Sequence, residues 1–214
     1  MPRKPDPTRL ATLGGLAGLA TLAFVVTARR VFARQTAAAD KAVREVMHQD
    51  AESPAGEVAD ATWPTSKTEV QLPIALLIAT GVWTARRQGP AAAIAGAATS
   101  AALVSRAFEQ WLPGRRPPPE RDQSEPSFPS GRALETSSIW FTTAYILARE
   151  GLGPPAVMVP VALAYPLAAS VSKLARDGHW GSDIVGGWLA GTAIAATCAA
   201  TYEASAGRRA GRRR

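Results

Sequence analysis

Six stretches of the chain carry no charge, or almost none: residues 10–28, 70–85, 90–105, 134–148 (with Glu135 near its start), 156–172 and 184–202. Each is long enough for an α-helix, and the first reaches the length of about 20 residues that a bilayer core demands. Residues 70–85 and 90–105 are shorter and would also suit buried core helices. Ala and Gly dominate several of the runs, and small residues let membrane helices approach closely. The pattern predicts an all-α fold, a six-transmembrane helical bundle. The first run could serve instead as a secretory signal peptide, with Ala37-Ala38-Ala39 as the cleavage site. It is long for that purpose and those alanines lie well beyond it, so a retained helix is the expected form.

The segments between the runs are short and polar. Residues 37–47 suit a helix, residues 52–64 read as loop, and residues 114–131 form a charged loop rich in proline, which restricts the backbone and stops helices. Three parts follow: residues 1–69, a basic segment with the first span and an extramembrane loop; residues 70–205, a membrane-embedded core; and residues 206–214, a basic tail. Arg and Lys cluster at both ends and in the Arg86-Arg87 connector. An even number of spans puts those three regions on one side, and the positive-inside rule makes that side cytoplasmic. The expected location is the plasma (cytoplasmic) membrane, multi-pass, with the loops 29–69, 114–131 and 173–183 together on the extracytoplasmic side.

Composition adds limits. The mean hydropathy of −0.01 resembles a soluble protein's, but it averages apolar runs with charged connectors. The formal charge of +7 sits mainly at the ends, which favours a membrane surface over nucleic acid as partner. Cys198 is the only cysteine, so no intrachain disulfide can form, and its place in an apolar run suits packing. No Cys/His cluster of zinc type is present, and no metal or cofactor is implied. His48 and His179 are the only histidines, and His48 falls in a polar stretch where solvation is expected.

Chemistry concentrates in the stretch from Ser172 to Asp183. His179 precedes Asp183 by four residues, a spacing at which the two side chains can meet if the chain turns helical. A carboxylate can hold one ring nitrogen in its N–H form and leave the other as a lone pair, suited to a base or nucleophile. Lys173 and Arg176 supply cations for an anion nearby. Upstream stand Arg116-Pro117 and Pro129-Ser130-Gly131-Arg132. Arg116 can bind two phosphate oxygens at once, and the Ser130 and Gly131 amides lie where a loop enters a helix, a place that favours anions. Taken singly, each feature also fits a headgroup contact or a serine helix cap.

Together these stretches resemble the type 2 phosphatidic acid phosphatases, the membrane lipid-phosphate phosphatases related to vanadium haloperoxidases. That family carries Lys-x6-Arg-Pro, Pro-Ser-Gly-His and Ser-Arg-x5-His-x3-Asp. Here they read Glu109-x6-Arg116-Pro117, Pro129-Ser130-Gly131-Arg132 and Ser172-Lys173-x5-His179-x3-Asp183, within residues 105–202. Three signature positions differ: Glu109 replaces Lys, Arg132 replaces the first His, and Lys173 replaces Arg. The resemblance implies a site at the extracytoplasmic helix ends. His179 would be the nucleophile, oriented by Asp183, with Arg116, Ser130, Gly131, Arg132 and Lys173 binding phosphate. The substrate would be a lipid phosphate or diphosphate, polyprenyl diphosphate favoured, because a guanidinium at position 132 cannot give a proton to a leaving alkoxide. The alternative is a catalytically impaired relative that binds an anionic lipid headgroup or a partner protein. A vanadate-dependent peroxidase fits poorly, since those relatives are soluble. The oligomeric state is open.

Overall fold

The computed structural model describes residues 6–49, 53–62, 64–119 and 126–211. Among them the regular elements are α1 (Pro7–Phe32), α2 (Ala37–Met47), α3 (Pro54–Thr62), a 3-10 turn at Pro64–Ser66, α4 (Thr68–Thr84), α5 (Gln88–Trp111), α6 (Gly131–Glu150), α7 (Pro155–Ala175) and α8 (Gly181–Gly211). Each of the six apolar runs lies within one long helix. Of these, α1, α5, α7 and the part of α8 through Ser205 are long and apolar enough to cross a membrane by themselves. The α4 helix is shorter, and α6 carries many small polar residues. Leu19, Leu22, Leu77, Leu103 and Leu167 point outward, as apolar side chains do where lipid replaces water.

Two features differ from the sequence reading. Residues 54–62, expected as loop, form α3: Ser53 Oγ accepts from the Gly56 amide at 3.0 Å and Pro54 opens the helix. The basic tail expected from residue 206 does not begin at a break, since α8 continues to Gly211.

The α8 helix is central and packs on α1, α5 and α6. Its contact with α6 depends on Gly187 and Gly191, one turn apart. A Cβ on Gly187 would lie 2.5 Å from the Ser130 carbonyl oxygen, and one on Gly191 2.5 Å from that of Leu134. Only glycine permits this approach, the small-residue packing that joins helices in a bilayer. The α6 helix also buries Thr136, Ser137, Ser138 and Thr142. Ser137 Oγ donates back to the Ala133 carbonyl at 2.6 Å, so that hydroxyl is satisfied within its own helix.

The long helices alternate in direction and leave two polar ends. At one end Arg87 pairs with Glu150 at 2.8 Å and Arg149 with Glu203 at 2.6 Å. Tyr145 donates to Glu203 at 2.8 Å, and Tyr202 donates to Glu150. The start of α1 and the α4–α5 and α6–α7 turns lie at this end. The other end gathers α2, α3 and the three motif-bearing stretches. Phe128 there meets Phe32 from the end of α1, ring centroids 5.5 Å apart.

Candidate active site

Loop 176–180 joins α7 to α8 and carries His179. Asp183 stands in the first turn of α8 and is fully buried. Its Oδ2 reaches back to accept the Trp180 amide at 2.9 Å, one half of a helix capping box, and carboxylates are favoured at that end of a helix. Its backbone carbonyl accepts the Ser130 amide at 3.0 Å, tying the start of α8 to the start of α6. Ser130 is fully buried as the N-cap residue of α6, with its hydroxyl 3.5 Å from the Ala133 amide.

The histidine is held by a group the sequence does not single out. His179 Nδ1 lies 2.8 Å from the Ser127 carbonyl oxygen. A carbonyl only accepts, so Nδ1 carries the proton and Nε2 holds the lone pair. The carboxylate contact expected from Asp183 is instead an approach of 3.7 Å, too long for a hydrogen bond. Asp183 thus offers a nearby negative charge, while the tautomer is set by Ser127. Burial and then the Lys173 ammonium hold the imidazole below its ordinary value of 6.5, so it is neutral at neutral pH.

A cavity of about 310 Å³ opens beside this histidine. His179, Lys173, Arg132 and Gly131 all line it, as do Glu109 and Glu135. A Cβ on Gly131 would meet the Ser105 hydroxyl of α5, which would have to turn away. Lys173 is buried, and Glu135 accepts from Thr68 Oγ1 at 2.6 Å. The start of α4 contributes Lys67 and Glu69 to the opposite wall. Cations and carboxylates therefore share the cavity. Among the described residues no cluster of His, Cys, Asp and Glu forms a metal site.

Of the seven residues singled out in the sequence, four line the cavity. Ser130 and Asp183 lie behind it in buried supporting positions. Arg116 is exposed and is not part of the lining; its carbonyl accepts from Trp180 Nε1 at 2.9 Å. The inward arginine is its neighbour Arg115. Arg115 Nη1 donates to Asp183 Oδ1 at 2.6 Å and Nη2 to Asp40 Oδ2 at 2.6 Å, with the guanidinium 5.6 Å from the Trp180 ring centroid. The Arg115 backbone carbonyl also accepts the Ser127 amide at 2.8 Å, which places the carbonyl that orients His179. His48 is exposed, as expected, and also lies 2.9 Å from Asp177.

A pH dependence follows from the neutral imidazole. If His179 acts as a nucleophile, activity falls as the pH drops through its pKa, and that pKa lies below 6.5. The acid limb of kcat/KM is therefore expected below 6.5. Removing the cation with Lys173→Met should move that limb upward, because Lys173 helps to disfavour imidazolium. A pH profile of both proteins measures this.

The helical bundle and the three motifs at one of its ends define a membrane-embedded protein of the phosphatase-like kind. The family model of the PAP2 superfamily matches residues 91–206, more than half of the chain, and the protein belongs to that superfamily. The fold is also that of a solved structure described as the first transmembrane PAP2-type phosphatidylglycerolphosphate phosphatase from Bacillus subtilis. The TM-score is 0.75 at 19% identity, covering 85% of this chain and 93% of that one. No curated protein gives a match.

Proposed function

We propose that the protein is an integral membrane phosphatase that hydrolyses lipid phosphates or diphosphates through a phosphohistidine on His179, with polyprenyl diphosphate preferred. The observation that carries the reading is the placement of His179, partly buried at the cavity. Its Nδ1–H is engaged by a carbonyl and its Nε2 is available beside a cavity that Lys173 and Arg132 also line. Nε2 attacks phosphorus, a P–N bond forms, and the P–O bond to the leaving group breaks with its electron pair. Water then attacks phosphorus, breaks the P–N bond and releases inorganic phosphate. Lys173 and Arg132 stabilise the charge that develops on the phosphoryl oxygens. Phosphate release from lipid monophosphates and diphosphates, compared with His179→Ala, tests this function.

Supporting the membrane setting are the outward leucines and the basic residues at the end away from the site. By the positive-inside rule that end is cytoplasmic, in the plasma membrane, and the site faces out. Single cysteines at Gly114 and Arg86 in a Cys198→Ser background read this out. An impermeant thiol reagent on intact cells should label the cysteine at 114 and spare the one at 86. The reverse pattern would invert the topology.

A second reading is favoured by one observation. Arg132 and Glu109 line the cavity at the two positions where the family has a proton-donating His and a Lys, so Arg132 and Lys173 can hold an anion there while no acid serves a leaving alkoxide. A relative that binds an anionic lipid headgroup or a partner protein without turnover would bind lipid phosphate yet release none.

A further inference from the structure

Among the described residues α2 packs on the end of α7 and the start of α8, with Val43 beside Gly181, and two charged residues four positions apart on it reach the α7–α8 loop and Ser182. That spacing puts Asp40 and Arg44 on one helix face. Asp40 is buried and accepts from the Ser182 amide at 2.8 Å, from Ser182 Oγ at 2.8 Å and from Arg115 at 2.6 Å. One turn on, Arg44 binds Asp177 through two parallel bonds, Nε to Oδ1 and Nη2 to Oδ2, each 2.9 Å. Asp177 is itself buried, and its φ of 50° lies in the left-handed region that few non-glycine residues adopt. Just beyond α2, the Gln49 amide donates to the Ala175 carbonyl at 3.0 Å.

One short helix thus grips residues 177 and 182, and His179 sits between the grips. The polar groups are charged as this arrangement needs. Burial pushes the Asp40 carboxyl up, but hydrogen bonds from Arg115, Ser182 and Thr36 outweigh it and hold it below the usual carboxylate value. The solvent-facing side of α2 carries Lys41 and Glu45, both exposed.

We propose that α2 is a positioning strap: Asp40 and Arg44 fix the loop that carries His179, so that its free ring nitrogen meets phosphorus at the cavity. The catalytic half of this rests on the phosphatase reading. Asp40, Arg44 and Asp177 are positioning residues and touch no substrate. A displacement of about 1 Å at a reacting group can cost roughly 10²-fold in rate.

The test uses Asp40→Asn and Arg44→Met in the full-length protein in detergent, with Lys41→Ala and Glu45→Ala as controls. Amide exchange in the peptide spanning 176–183 should speed up in the first two and stay unchanged in the controls. The kcat should fall about 10²-fold with little change in KM, and Arg44→Lys should recover part of the loss. Thermal unfolding of the helical signal reads any general loss of fold. Unchanged exchange and unchanged kcat in both strap variants would overturn the proposal, as would a KM effect alone. If wild-type protein releases no phosphate from any lipid, the phosphatase reading fails by itself, and the exchange data still decide whether α2 holds the loop.

Discussion

His179→Ala should lose turnover almost completely, by about 10⁶-fold, the scale seen when a covalent enzyme is stripped of its nucleophile. No other histidine can take its place, since His48 is engaged with Asp177 on the strap side of the loop. Asp183→Asn should behave differently. Were Asp183 the group that sets the imidazole tautomer, its amide would present the wrong partner and cost about 10⁴-fold. The Ser127 carbonyl already holds Nδ1–H at 2.8 Å, and Asp183 stands 3.7 Å away. Its amide variant should therefore lose less, about 10²-fold, through the weakened Arg115 contact and loop placement. Steady-state phosphate release from a lipid diphosphate measures both. A loss of about 10⁴-fold in Asp183→Asn would give the tautomer role back to Asp183. Wild-type turnover in His179→Ala would remove the mechanism.

Arg132→His should change substrate preference. Expelling an alkoxide from a lipid monophosphate creates a strongly basic oxygen, and a positioned proton donor accelerates such a step by about 10²–10⁴-fold. Expelling a lipid monophosphate from a lipid diphosphate needs no such donor, because a phosphate with a second pKa of about 6 leaves as an anion. A fixed cation stabilises that anion, and Arg132 lines the cavity as one. The wild-type protein is thus expected to favour polyprenyl diphosphate over phosphatidate. A histidine at 132 should raise kcat/KM on the monophosphate by at least tenfold (about 1.4 kcal/mol of barrier) and alter the diphosphate far less. Equal gains on both substrates, or wild-type protein that prefers phosphatidate, would refute the leaving-group argument. Lipid binding without turnover in either protein would support the non-catalytic reading.

The long helices were legible because their pattern is crude: a run without charge, closed by Arg, Gly or Pro, reports a buried or lipid-facing helix whatever its partners. The α3 helix was missed because Pro54 and Gly56 read as loop, although Ser53 before a Pro at the first helical position is a helix-start signal. The site was half legible. The resemblance of three motifs to one family, with span counting that put their loops on one side, grouped His179, Lys173, Gly131 and Arg132, and all four line one cavity. Spacing could not choose between Arg115 and Arg116, whose neighbouring side chains point in different directions. The partners of the loop that carries His179 were hidden for another reason. Asp40 meets Ser182 from 142 positions away, and the Ser127 carbonyl is a backbone group that any residue would supply. Such contacts exist only once the helices have packed.

The central claim is that phosphorus passes through His179. Purified protein mixed with lipid diphosphate labelled in its terminal phosphate, then quenched in alkali within one turnover, should carry label on His179. That label should be acid-labile, should disappear on longer incubation with water, and should be absent from His179→Ala. Rapid turnover with no phosphoprotein at any time, or with label on another residue, would contradict the account.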